Sequence, residues 1–504
     1  MTDQSVAEAL RSDAPLVVIE APAGCGKTHQ AADYARWLGE HNPARRTLIL
    51  THTHAACDAI RTYAPTDSRR TQVCTFDGFI TQLASAYREC LDLPKDVARW
   101  AIETPDGFEH LANRVGDLLD RSQAVRFAIV ARYPVIICDE HQDTNPAQHR
   151  VALQLLDAAA KLRVFGDPRQ AIYVRSNAER SAHRARWQAL CDRATRYEAL
   201  TFPHRWREGS PALGKWVLTA RRTLEAGGQI DLRGNLPAGL HLILANNDGP
   251  RGQFHLDAEA RQVRDIVRRS QSLLILAPTQ DLVASIHAFF GRLVPIWEGH
   301  TREFLRVLAY ACATHAGNAE RVAAAMCDFI EAVVTGCTAE RRDQILREIA
   351  SNAAKPRRGI PAELQAIARC VLESPDHRGV ARSLQRVVLG ATPQGLLREF
   401  LVNHYRELRE ASRLDQFADP VEGQAELTRR RTSVRTVMPK RVISTIHKAK
   451  GLQTRDVVLM PCDASTFSGT DYKRCGAYVA LSRATHSLTI VAGQARPSPL
   501  FLLP

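Results

Sequence analysis

Short, mainly apolar segments recur along the chain: Leu16–Glu20 (LVVIE), Val135–Cys138 (VIIC), Leu162–Phe165 (LRVF) and, later, Leu273–Ala277 (LLILA). They do not alternate polar with apolar, so they predict strands covered on both faces. Between them the period changes. His29 to Leu38 follows a helical pattern, and VAAAMCDFIEAVV (Val322–Val334) and RRDQILREIA (Arg341–Ala350) place apolar residues at i, i+3, i+4 and i+7. Such stripes predict amphipathic helices packed on a core. Short buried strands alternating with helices predict an α/β fold with parallel sheets.

Composition narrows the class. At ~100–200 residues per domain, 504 residues predict about three or four domains. A hydrophobic content of 45% with 24% charged residues suits a globular chain and argues against long disorder. No apolar stretch approaches the roughly 20 residues that span a bilayer, so no membrane partner is expected. The N-terminus MTDQSVAEAL lacks a basic segment followed by an apolar one, and the 12 cysteines form no CxxC pair. A cytoplasmic protein with reduced thiols is the expectation. The 67 Lys and Arg against 54 Asp and Glu give a net charge of +13, which favours an acidic partner such as nucleic acid. Arg outnumbers Lys, a bias that genome composition also produces.

The first strand leads into Ala21-Pro22-Ala23-Gly24-Cys25-Gly26-Lys27-Thr28, with the helical pattern opening at His29. Strand, small-residue loop and helix form the setting of a phosphate loop. Gly24 and Gly26 let the backbone wrap phosphate oxygens, and the amides of Ala23, Gly24, Cys25, Gly26, Lys27, Thr28 and His29 line the bound anion. Lys27 reaches the β- and γ-phosphates and the Thr28 hydroxyl ligates Mg2+. The second strand ends in Asp139-Glu140-His141-Gln142-Asp143. Asp139 is placed for the Mg2+ shell and Glu140 for orienting or deprotonating a water. The third leads to Gly166-Asp167-Pro168-Arg169-Gln170, whose Gln170 both donates and accepts and suits sensing a γ-phosphate.

DEHQDTN (Asp139–Asn145) and GDPRQAIY (Gly166–Tyr173) together resemble the UvrD/Rep superfamily 1A helicases. Further blocks follow in the family's order: APAGCGKT, ILTHTHAACDAIR (Ile49–Arg61), VCTFDGF (Val73–Phe79), LTFPHRWR (Leu200–Arg207), LLILAPTQ, STIHKAKGLQ (Ser444–Gln453) and YVALSRA (Tyr478–Ala484). The resemblance implies ATP and Mg2+ as cofactors, Gln4 reading adenine, and Arg205 and Arg483 as two arginine fingers from the second lobe. His204 stands where the family often stacks a Tyr on adenine. Gln453 replaces a Glu that usually contacts the ribose. On the strand side Tyr173 keeps a stacking aromatic, while Arg175 stands in place of a Trp; His52, Thr75 and His447 complete the expected contacts. Tyr173 has a second reading, as a core aromatic under the first lobe.

The motif order implies two RecA-like lobes, each interrupted by a mainly helical insertion. The expected boundaries are 1–80 and 133–198 for the first lobe with a short insertion at 81–132, then 199–290 and 441–504 for the second with a larger insertion at 291–440. Basic clusters stand at Lys355–Arg358 and Arg429–Arg431; the run Thr428–Arg441 reads equally as a strand-contacting hinge or a solvated linker. The resemblance implies an ATP hydrolase and 3′-to-5′ helicase acting on single-stranded or tailed duplex DNA. The alternative is a nucleic-acid-sensing ATPase subunit that regulates a partner nuclease in defence or repair. Compact helicases of similar length occur in bacterial anti-phage systems such as Gabija.

Overall fold

The computed structural model describes residues 2–42, 46–63, 70–247, 255–256, 260–298, 303–353, 362–392, 394–433 and 438–504. The chain packs into two compact units: Met1–Gly249, His255–Pro278 and Ala449–Pro504 form the first, Pro250–Phe254 and Thr279–Lys448 the second.

The first unit holds a six-stranded parallel sheet built from β1 (Leu16–Glu20), β2 (Thr47–Thr51), β3 (Thr71–Thr75), β4 (Val135–Cys138), β5 (Lys161–Gly166) and β6 (Arg196–Ala199), in the order β3-β2-β4-β5-β1-β6. The apolar runs are its central strands. One face packs Leu16, Val18, Leu48, Ile136 and Leu162 against helices that include Gly107–Arg121 and Pro146–Asp157. The other packs Val17, Ile19, Ile49 and Ile137 against Ala31, Tyr34 and Ala35 of the helix Lys27–His41. The helices between Phe76 and Arg132 therefore share the core of this sheet; Leu111, Val115 and Leu119 belong to the same apolar cluster as the strands.

In register, Cys138 lies beside Val164 and Glu20 beside Gly166, which sets the carboxyl ends of β4, β5 and β1 side by side. Parallel α/β sheets bind ligands at such ends. Arg163, in the middle of β5, is fully buried and donates to the carbonyls of Leu10, Ser12 and Ala14. It thereby caps the C-terminal end of the helix Thr2–Arg11.

Beyond β6 the strands are β7 (Ile230–Asp231), β8 (Leu240–Leu244), β9 (Leu273–Ala277), β10 (Val334–Thr335), β11 (Leu401–Val402), β12 (Arg441–Thr445), β13 (Thr454–Cys462), β14 (Ala484–Ala492) and β15 (Phe501–Leu502). Within the first unit β9, β13, β14 and β8 follow one another in a second parallel sheet. Its two inner strands come from the last segment of the chain. The short parallel pair β7 and β15 joins Ile230 to Phe501.

The second unit is mainly helical. Helices such as Glu303–Thr314, Ala319–Val333, Ala362–Glu373 and His377–Gly390 enclose a core of Leu308, Met326, Ile330, Ile367, Leu384 and Leu408. The predicted stripes face inward: Val322, Met326, Ile330, Ile345 and Ile349 are all buried. The buried Glu298 carboxylate accepts from the amides of Arg406 and Glu407, capping the helix Tyr405–Ala411. Lys355–Arg358 lie outside the described residues, and Arg429–Arg431 continue the helix Pro420–Ser433. No helix among the described residues is long and apolar enough to cross a membrane.

Candidate active site

The loop after β1 is shaped by two left-handed glycines, Gly24 at φ 75° and Gly26 at φ 91°. A Cβ on Gly24 would sit 2.6 Å from the Trp206 ring, and one on Gly26 would sit 3.2 Å from His204. Only glycine tolerates both the conformation and this close cover. The Gly24 carbonyl accepts from the Arg205 amide at 3.0 Å. Cys25 turns inward, and burial pushes its thiol up to about 12, so it is a packing residue and not a nucleophile.

Tyr478 closes the loop from the helix Asp471–Leu481. Its hydroxyl accepts from the Ala23 amide at 2.8 Å and donates to Asp167 Oδ2 at 3.0 Å. The same Asp167 oxygen accepts from Gln170 Nε2 at 2.9 Å. That bond fixes the Gln170 amide, leaving Oε1 directed at Arg483 Nη2, 3.4 Å away.

At the end of β4, Asp139 is 1% exposed and takes a long contact, 3.5 Å, from the Thr28 hydroxyl. Glu140 adopts a left-handed backbone, φ 55°. Lys27 Nζ lies against the Glu140 carboxylate and 3.9 Å from Asp139. Burial alone would lower the lysine, but the two carboxylates outweigh it and hold Lys27 above its ordinary value. Burial likewise works against the Glu140 carboxylate, and Lys27 and Lys450 overcome it, so Glu140 is held ionised. Gln142 ties the acid strand to its neighbour: Nε2 donates to Glu140 at 2.5 Å, and Oε1 accepts from the Asp167 amide at 3.0 Å.

Two arginines face this cluster. Arg205 donates through Nε to Gln453 Oε1 at 3.0 Å and through Nη1 to the Ser482 carbonyl at 2.6 Å. Arg483, 1% exposed, donates to the carbonyls of Val479 and Leu452 and to the Ser482 hydroxyl. Every one of these acceptors is neutral. Among the described residues neither guanidinium has a carboxylate at ion-pair distance. Burial, and then the charge of Arg205, bring Arg483 down to about 9. Elsewhere in this unit some buried arginines receive carboxylates, while Arg163, away from the loop, is held by carbonyls alone. Arg221 meets Glu20, Asp167 and Glu225, and Arg180 meets Asp471. A buried cation without a counter-charge is costly; Arg483 is buried in that state and Arg205 half-buried beside it, so the two, near Lys27, form a patch of positive charge suited to an anion.

At the outer end of the loop His204 Nε2 lies 2.6 Å from Asp3 Oδ2, and Phe202 meets the His204 ring edge-on at 4.6 Å. Gln4 is exposed and bonds Glu8 of its own helix at 3.2 Å.

Tyr173, 53% exposed, is a surface aromatic and not the core residue of its second reading. Lys450 Nζ lies 5.0 Å from its ring centroid and also bonds both Asp143 oxygens, at 2.7 and 2.6 Å, and the Gln170 carbonyl, at 2.7 Å. Arg175 is exposed beside it. His52 is stacked on Phe76 at 5.1 Å, and burial takes its ring down to about 4. The Thr75 hydroxyl accepts from the Gly78 amide at 3.0 Å, capping the helix Phe76–Ala86. His447 belongs to the second unit and is half-buried. Gln142, Asp143, Asp167, Lys450 and Tyr478 were not singled out from sequence, although each lies inside a quoted motif.

A parallel sheet with a glycine-lined phosphate loop and an adjacent acidic strand end, faced by Arg205 from the short helix His204–Trp206 and by Arg483 just ahead of β14, has the architecture of a P-loop nucleotide-binding fold with a second parallel sheet beside it. Residues 98–183 match the UvrD/REP helicase N-terminal domain, and residues 441–491 match the UvrD-like helicase C-terminal domain. These matches support a UvrD-type superfamily 1 helicase. It is also similar to the RecBCD enzyme subunit RecB of Mycolicibacterium smegmatis, 35% identical over 68 residues, and to that of Escherichia coli, 35% identical over 71 residues. Each alignment covers 13% of this chain and 6% of the relative.

Proposed function

We propose that this chain is an ATP-driven DNA translocase and helicase that moves 3′-to-5′ along a single strand. The observation that carries the reading is the pair of carboxylate-free guanidiniums, Arg205 and Arg483, facing the phosphate loop. Triphosphate is the substrate that fits. Loop amides and Lys27 hold its phosphates, and the two arginines balance charge as the terminal phosphoryl transfers. Glu140, held ionised, receives a proton from the attacking water, and Gln170 Oε1 orients that water. Thr28 and Asp139 are oxygen donors suited to Mg2+, which would neutralise phosphate charge when bound. His204 and Phe202 flank the base. Because Arg483 adjoins β14 of the second sheet and Arg205 is tied to it through the Ser482 carbonyl, turnover depends on the two lobes meeting.

The strand side supports DNA as the track. Tyr173 offers an exposed stacking face, and Arg175 a guanidinium that lies flat on a base. Lys450 joins that ring to Asp143 and to the Gln170 carbonyl, so the strand contact and the phosphate sensor share one ammonium. His52, Thr75 and His447 are proposed as flanking contacts. A cytoplasmic location agrees with this role.

The test is ATP turnover with and without single-stranded DNA, together with displacement of a labelled strand from duplexes carrying a 3′ or a 5′ tail. Strong stimulation and displacement from the 3′ tail alone are expected. Turnover indifferent to DNA overturns the reading. A second reading, a sensing ATPase that controls a partner nuclease, draws support from the relatives' being named subunits of the RecBCD enzyme. It predicts DNA-stimulated turnover with no strand displacement and co-purification of a nuclease from its native host.

A further inference from the structure

Gln453 occupies the motif position from which the resemblance implied a ribose contact. The structure gives its side chain a different partner. Its Oε1 accepts from Arg205 Nε at 3.0 Å, while the Ser482 carbonyl takes Arg205 Nη1 at 2.6 Å. Ser482 also receives Arg483 through its hydroxyl, from Nη2 at 2.6 Å. One short segment therefore holds both arginines, and does so with neutral oxygens only.

The chemistry of residue 453 matters because of that neutrality. A carboxylate at this place would form a charge-assisted bond to Arg205, as Glu20 and Asp167 do to Arg221. The guanidinium would then be neutralised before a phosphate reached it. An amide fixes the fork through one hydrogen bond and leaves its charge for the substrate. Arg483 lies close enough that, after burial, the charge of Arg205 is the next cause lowering it.

We propose that Gln453 is a positioning residue for Arg205: it orients this arginine without discharging it, and it does not read the ribose. The inference rests on the ATPase reading above. Gln453 is exposed, so substitutions there spare the core.

The test measures kcat and KM for ATP and for 2′-deoxy-ATP in the wild type, Gln453→Glu and Gln453→Ala, with saturating oligothymidylate. The wild type is expected to use both nucleotides with KM values within about twofold, since one hydroxyl goes unread. Gln453→Glu is expected to lower kcat roughly tenfold or more, with a smaller change in KM, because an arginine finger acts in the transition state. Gln453→Ala leaves Arg205 charged but less constrained, and is expected to fall between the two. Full turnover in Gln453→Glu overturns the proposal. So does a wild-type preference for the ribonucleotide that disappears in Gln453→Ala. Wild-type turnover reports on the ATPase reading itself, and the ratio of variant to wild type reports on Gln453; a wild type without turnover overturns both.

Discussion

Arg483 and Arg221 are both buried arginines of the first unit, and their surroundings predict opposite phenotypes. Arg483→Ala removes charge that no carboxylate needs, so the fold should survive. Turnover should drop by roughly a thousandfold while nucleotide affinity changes far less; steady-state hydrolysis and titration with a fluorescent nucleotide check this. Arg221→Ala strands Glu20 and Asp167, the latter fully buried. Loss of one partner from a buried ion pair costs about 3–5 kcal/mol, so this variant should show a lower urea midpoint first and lower activity as a consequence. On the strand side, Tyr173→Ala should weaken single-strand binding about tenfold, equivalent to one base stack, and Tyr173→Phe should restore it; fluorescence anisotropy separates the two.

At the scale of elements, what the sequence revealed followed from burial. β1, β4 and β5 are central strands and read as apolar runs. β6 (RYEA) and β3 (TQVCT) are the two edges of the same sheet, partly open to solvent, and carry no such run. Arg163 interrupts β5 and is tolerated because three carbonyls receive it, a fact no local pattern contains. The site divides in the same way. Lys27, Thr28, Asp139 and Glu140 are legible because each sits in a short contiguous motif at a strand end. Tyr478 on Ala23 and Gln453 on Arg205 join residues hundreds of positions apart, and spacing says nothing about such pairs. A further consequence belongs to the helix Pro146–Asp157 beside the acidic turn. His141 Nε2 and His149 Nδ1 lie 3.0 Å apart, with His183, His52 and Arg186 near them. Burial lowers both rings, His149 to about 4. They are neutral in the fold, so their contribution to stability is intact above the unfolded value near 6.5 and is lost as pH falls from there toward the folded values. Between pH 7 and 5 His149 should cost about 2 kcal/mol of stability, and His141 adds a loss of the same sign. His149→Gln retains a partner for His141 and should shrink the loss by about 2 kcal/mol in urea unfolding at the two pH values; an unchanged loss contradicts the assignment.

For the whole molecule, the +13 charge divides into two populations. Lys27 and Arg483 are buried and Arg205 half-buried at the phosphate site, whereas Arg175 is exposed beside Tyr173. Salt screens exposed charges and releases few ions from enclosed ones. Raising salt from about 50 to 200 mM should therefore weaken single-strand binding by at least tenfold, with a much smaller change in the KM for ATP. Comparable salt slopes for both would place the strand contacts elsewhere.

The strand order of the second sheet also fixes a sequence of events in time. β8 and β9 are made early, yet they do not touch each other in that sheet; β13 and β14 must slide between them. Those two strands emerge after roughly 170 further residues have left the ribosome, on the order of ten to thirty seconds at ordinary elongation rates. Until then β8 and β9 present unpaired edges, which are templates for aggregation. The first sheet, complete once β6 is made, is under no such delay. A cell that makes this chain must shelter half of the second parallel sheet until β13 and β14 are made, so its yield should depend on chaperone supply more steeply than that of the first sheet's residues expressed alone.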